Sequence, residues 1–256
     1  MTVEEQDPDR LPRDNLVRAM PPGQALELRN DSEGGPHLVG HFAVFNEWAE
    51  IESRSEGHFL ERIAPGAFKR TFDQRRDKIQ VLFNHGGDPQ LGDKPLGSVV
   101  SLAEDERGAA YDVELFDGIP PLVMAGLRAN KYGASFRFSV LREVIDRSPK
   151  ASDHNPDGIV ERTVTEAAVP EFGPVTFPAY EGATAGIRSL TDEYLFGRFV
   201  GNPKRLAQLI DYVREEAPSI EPAAEPHLDE ARETPPPVAT VRFRTREEYL
   251  SWLSTS

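Results

Sequence analysis

Three residues in this sequence combine a reactive side chain with neighbours suited to hydrolysis. His85 sits in Asn84-His85-Gly86-Gly87-Asp88, directly after the apolar run Ile79–Phe83. A strand would deliver its imidazole into a glycine-rich loop with little bulk to block a substrate. Histidine is also the natural general base near neutral pH. Ser135 sits in Gly133-Ala134-Ser135-Phe136-Arg137-Phe138. Small residues before it leave room for a carbonyl to come within van der Waals contact, and nearby backbone N–H groups could meet an oxyanion. By strand alternation Arg137 and Ser139 share its face, with Phe136 and Phe138 opposite. Arg137 could help an oxyanion or bind a substrate carboxylate. Glu171, in Val169-Pro170-Glu171-Phe172-Gly173-Pro174-Val175-Thr176-Phe177-Pro178-Ala179, could orient an imidazole and stabilise its protonated form.

Each residue also has a plain structural alternative. His85 could be a turn histidine bonded to Asp88, Ser135 an ordinary strand-start serine, and Glu171 a solvated turn carboxylate. Taken singly, these segments favour the plain alternatives. The serine segment is not the Gly-x-Ser-x-Gly nucleophile elbow, because Arg137 occupies the second glycine position. His85, Asp88 and Asp93 could instead ligate a divalent ion. The histidines at 37, 41, 58, 85, 154 and 227 show no i,i+4 pair on a helix, so no metal is expected, and a serine mechanism would need no cofactor. The chain has no cysteine, which leaves Ser or Thr as the nucleophile of any covalent hydrolase.

The elements that would position these residues are mostly strands. Apolar runs with period-two alternation lie at Leu38–Phe45, Ile79–Phe83, Gly97–Leu102, Ala109–Phe116, Ala134–Val140, Gly158–Ala167 and Pro174–Phe177. Asp105-Glu106-Arg107-Gly108 reads as a hairpin turn. Helices are predicted from Pro65 to Arg76, from Pro120 to Lys131 with Gly133 as its stop, from Thr191 to Phe199 and from Pro203 to Glu215. The fold class is therefore α+β, mainly β: a barrel or sandwich with flanking helices and no βαβ rhythm.

Residues 1–24 are polar and proline-containing and read as an N-terminal arm, ahead of a domain at 25–200 and a helix at 201–216. Residues 217–240 hold Pro218, Pro222, Pro226 and Pro235-Pro236-Pro237. Such a segment buries too little apolar surface to offset its ordering entropy and reads as a linker. Residues 241–256 form an aromatic island suited either to docking or to packing back on the domain. Hydrophobic residues make up 38% and charged residues 28%, and the formal net charge is −14. That balance argues against nucleic acid as a partner. Between Glu215 and Glu233 there are seven acidic residues and one Arg, so part of the charge belongs to the tail. Residues 1–9 lack the apolar core of a signal peptide, and no run reaches the ~18 apolar residues of a membrane helix.

Taken together, the segments resemble the HK97-type prohead protease family of tailed bacteriophages. The resemblance covers residues 36–190 in four ordered blocks. These are Gly40-His41-Phe42-Ala43-Val44-Phe45-Asn46 with Ile63-Ala64-Pro65-Gly66-Ala67-Phe68; Leu82-Phe83-Asn84-His85 with Pro95-Leu96-Gly97-Ser98; Gly133-Ala134-Ser135-Phe136; and Glu171 to Tyr180. The resemblance implies a small barrel ringed by helices, like the herpesvirus assembly protease. It implies a serine endopeptidase with His85 as general base, Ser135 as nucleophile and Glu171 as third member; Phe136-Arg137 departs from the smaller pair of many relatives, and the placing of Arg137 and Phe136 at the oxyanion or substrate is read from their position beside Ser135. Its partners would be the major capsid protein and the scaffold or delta segment, with self-cleavage and self-association, inside the procapsid in the host cytoplasm. The competing class is a non-enzymatic assembly module of the same fold. Geometry separates the two: a protease needs the Ser135 hydroxyl near hydrogen-bond reach of one His85 nitrogen and Glu171 beyond the other.

Overall fold

Alternation of apolar and polar residues folds the chain into two sheets. In the computed structural model the described residues are 11–22, 26–30, 35–176, 187–200 and 207. Their elements run β1 (Leu16–Met20), β2 (Leu26–Asn30), β3 (Pro36–Val44), β4 (Ala49–Ser53), β5 (Gly57–Ile63), α1 (Lys69–Arg75), β6 (Gln80–Val81), β7 (Gly97–Glu104), β8 (Gly108–Leu115), α2 (Pro121–Arg128), β9 (Gly133–Asp146), β10 (Glu161–Val175), β11 (Arg188–Ser189) and α3 (Thr191–Val200). The larger sheet has the order β11-β1-β9-β10-β5-β4, with β6 added beside β10. Its outer strands β11 and β4 touch, so the sheet curls into a nearly closed barrel. The smaller sheet, β2-β3-β8-β7, packs through β3 against β1 and β9.

An aromatic cluster fills the space between them. The Phe42 ring, from β3, lies 4.9 Å from Phe172, 5.2 Å from Phe136 and 5.4 Å from Phe68. Phe136 and Phe172 belong to the two strands that carry Ser135 and Glu171, so the core fixes those strands from behind. The Asp105–Gly108 turn forms as expected. Asp105 Oδ1 accepts from the Arg107 and Gly108 N–H groups at 2.8 Å each, and those bonds, with His41, hold its carboxyl below the ordinary range. The Glu104 carboxylate accepts from the Gly66 and Phe68 N–H groups at 2.8 and 2.7 Å, which ties the turn before α1 to β7.

Several expected boundaries move. Residues 16–20, expected in an arm, form β1, a strand paired on both sides and buried at all five positions. Pro12, Pro21 and Pro22 flank it and a charged Arg18 stands at its centre, so no apolar–polar alternation marks the strand. β4 (Ala49–Ser53) and β5 (Gly57–Ile63) had no expected counterpart, because each offers only two or three apolar inward residues beside charged neighbours. Residues 161–167 and 174–175 of the two runs expected at 158–167 and 174–177 belong to one long strand, β10 (Glu161–Val175). Ile79–Phe83 shortens to β6 followed by a 3-10 turn. The second helix ends at Arg128, and Asn130, at φ 53°, makes the turn expected of Gly133. The helix at 203–215, the linker at 217–240 and the segment at 241–256 lie outside the described residues, apart from helical Ala207.

Arg18 is 1% exposed yet fully partnered. Its guanidinium donates to Glu56 at 2.7 and 2.9 Å and to Glu61 at 2.7 Å. Burial opposes the charge, but Glu61 and Glu56 more than reverse that, and Arg18 titrates above the ordinary guanidinium range. The same contacts act on Glu56. Burial pushes its carboxyl up, but Arg18, Ser189 and Thr191 outweigh it and hold the carboxyl below the ordinary range.

Candidate active site

His85 stands on an unusual piece of backbone. Asn84 and His85 both occupy the left-handed region, at φ 48° and 55°, which non-glycine residues seldom adopt and which recurs at functional sites. The turn is held from outside. Asn84 Oδ1 accepts the Thr176 N–H at 2.7 Å, and the Asn84 carbonyl accepts the Gly87 N–H at 2.8 Å. Asp88 does not bond His85. Its Oδ1 accepts from the Gln90 and Leu91 N–H groups at 2.9 and 2.8 Å, which removes the turn-histidine alternative.

The ring instead points between β9 and β10. Nε2 lies 2.7 Å from Ser135 Oγ, and Nδ1 lies 2.9 and 3.1 Å from the two Glu171 oxygens. A carboxylate accepts only, so Nδ1 carries a proton and donates it. In the neutral ring Nε2 is then an acceptor for the Ser135 hydroxyl, the tautomer a general base requires. Sheet register produces this convergence. Ser135 on β9 faces Gly173 on β10, and Arg137 faces Glu171. A register irregularity between Ala168 and Glu171 takes up Pro170 and re-aims the strand. Glu171 is 2% exposed, so it is no solvated turn carboxylate.

Ser135 Oγ also lies 2.8 Å from the Arg18 carbonyl oxygen. One hydroxyl proton serves one acceptor at a time. With a neutral ring it goes to Nε2. With an imidazolium both ring nitrogens donate and the hydroxyl turns to Arg18. Ser135 is fully buried, so the described state is closed. Beside His85 opens a cavity of about 660 Å³ lined by Gly86, Asp88, Val175, Leu190, Tyr194 and Arg198, among others.

Two expected site residues make side-chain contacts other than those expected. The Phe136 side chain packs into the aromatic core, 5.0 Å from Phe138 and 5.9 Å from Phe68. Alternation sends its ring to the face opposite Ser135. Arg137 shares the Ser135 face, but its guanidinium is engaged by Glu171 and Asn15, at 3.1 and 3.0 Å, rather than presented to a substrate. Tyr194 was not anticipated. Its ring stands edge-on to His85 at 5.9 Å, and a tyrosine in a C-terminal helix carried no local signal for that.

A sequence model described as Caudovirus prohead serine protease matches residues 24–194. The chain belongs to this family. It is a serine protease of the prohead class. Among solved structures it resembles the capsid assembly protease gp21 of bacteriophage T4, at 10% identity and TM-score 0.40, over 64% of this chain and 98% of that one. No curated protein matches its sequence. Among the described residues no helix is long and apolar enough to cross a membrane.

Gly173 gives this prohead protease a sensitive point. A Cβ there would overlap the carbonyl oxygen of Leu82, three residues before His85, while the Leu82 N–H bonds Phe172 at 2.9 Å. Gly173→Ala must push the His85 turn away from β10. We expect a loss of about 1–3 kcal/mol in stability and, with His85 acting as the base proposed below, about a hundredfold in turnover for a displacement of roughly an ångström. Thermal melts and capsid-processing rates check this. Unchanged turnover would show that the turn tolerates the shift.

Proposed function

We propose that His85, Ser135 and Glu171 form the catalytic triad of an endopeptidase that cleaves capsid-protein or scaffold segments, and itself, during procapsid maturation. The observation that carries this is the imidazole set between the Ser135 hydroxyl and the Glu171 carboxylate, 2.7 and 2.9 Å away. His85 takes the hydroxyl proton as Ser135 attacks the scissile carbonyl, and Glu171 stabilises the imidazolium that forms. The ring returns the proton to the leaving amine, and water then hydrolyses the acyl-enzyme. Because Ser135 is buried against the Arg18 carbonyl, the covering chain has to move before a substrate carbonyl reaches Oγ. The proline-rich segment 217–240 is the proposed self-cleavage site.

The test is co-expression with the neighbouring capsid gene and intact-mass analysis of both proteins. Wild type should yield a shortened capsid protein and a shortened protease, and Ser135→Ala neither. Processing that survives Ser135→Ala would remove Ser135 as nucleophile.

A further inference from the structure

Arg137 has no part in the proton transfer, yet it is built into the site. It lies opposite Glu171 in the β9–β10 register. Its Nε donates to Glu171 Oε1 at 3.1 Å, the same oxygen that accepts from His85 Nδ1 at 2.9 Å. Its Nη1 donates to Asn15 Oδ1 at 3.0 Å, and its guanidinium lies 5.6 Å from the Tyr194 ring centroid. Three elements therefore hold the cation: the entry to β1, the strand β10 and the helix α3.

We propose that Arg137 is a positioning residue for the triad. It pins the Glu171 carboxylate and shares its charge, so that His85 rests as the neutral ring able to take the Ser135 proton. This rests on the triad proposed above. The physical reason is a balance. A buried carboxylate whose sole partner is an imidazole favours the imidazolium, because opposite charge stabilises the protonated ring. An imidazolium cannot accept the hydroxyl proton, and it leaves the Ser135 hydroxyl donating to the Arg18 carbonyl. A guanidinium on the same oxygen draws off part of that attraction and adds a repulsion of its own. Its planar Nε–H also fixes the carboxylate plane, which a point charge does less well. Among the described residues the remaining charged or titratable groups near the ring are Tyr194, edge-on to it, and Asp88, Glu193 and Arg198, which line the adjoining cavity. Among them, Arg137 is the one hydrogen-bonded to Glu171 and bears directly on it.

The experiment is an NMR pH titration of the His85 ring in the full-length chain, assigned by comparison with His85→Gln. Arg137→Met should raise the midpoint by about one pH unit, and the acid limb of capsid processing should rise with it. Arg137→Lys keeps the charge and should return the midpoint most of the way. Arg137→Gln stands in should the Met variant fail to fold. A merely structural Arg137 would lower the melting temperature and leave the midpoint in place. A midpoint that stays put in Arg137→Met, or rises equally in Arg137→Lys, overturns the proposal. Failure of the triad itself shows separately, as processing that survives Ser135→Ala.

Discussion

His85→Ala should lower the rate of capsid-protein cleavage by about a millionfold, and adding Ser135→Ala should lower it no further. Members of a catalytic unit are grossly non-additive, because removing either the base or the nucleophile abolishes the same step. Glu171→Gln should cost less, about ten-thousandfold, for a reason visible in the contacts. Glu171 Oε1 accepts from Arg137 as well as from His85. In the amide variant the oxygen that stays with the guanidinium is the one that also accepts from Nδ1, so the base tautomer is kept, while the negative charge that stabilises the imidazolium is lost. Cleavage kinetics of the three variants, followed by mass spectrometry, decide the matter. Multiplicative losses in the double variant would mean that His85 and Ser135 act in separate steps.

The parts of this site that local sequence could reveal are those that depend on local geometry. Alternation along Gly133–Phe138 correctly put Arg137 beside Ser135 and sent Phe136 to the other face. It could not say what Arg137 meets, because that depends on register with a strand 34 residues away. The same limit hid β1. Arg18 reads as a surface residue until Glu56 and Glu61, 38 and 43 residues on, are brought beneath it. β10 failed for the opposite reason. Pro170, Gly173 and Pro174 are turn formers by local chemistry, yet a bulge absorbs Pro170, and Gly173 is required by the close approach of Leu82. The long-range order of the blocks carried what the individual segments could not.

Arg18→Met should destabilise the fold by about 3–5 kcal/mol, the usual cost of leaving buried charge without its partner. The substitution strands Glu56 and leaves Glu61 with the longer 3.4 Å pair to Arg162, both carboxylates being 3% exposed. Replacing all three charges together, as Arg18→Met with Glu56→Gln and Glu61→Gln, should recover most of the loss, since the desolvation cost goes with them. The pH dependence has a definite sign. The Glu56 carboxyl is held below its ordinary value of 4.5 in the folded chain. Its contribution is therefore fully present above about pH 4.5 and is lost as pH falls through the lower folded value. Arg18→Met removes the main cause of that depression, so the variant should lose less stability than wild type on acidification from pH 5 to pH 3, a range expected from ordinary carboxylate titration. Urea denaturation at several pH values reads both effects. Equal acid sensitivity in the two proteins would show that Glu56 does not depend on Arg18. The consequence reaches the active site, because the strand that carries Arg18 also sets its carbonyl against the Ser135 hydroxyl. The ion pairs that hold β1 in the barrel thus also determine how firmly Ser135 is covered, and a chain loosened at Arg18 should expose Ser135 before it unfolds.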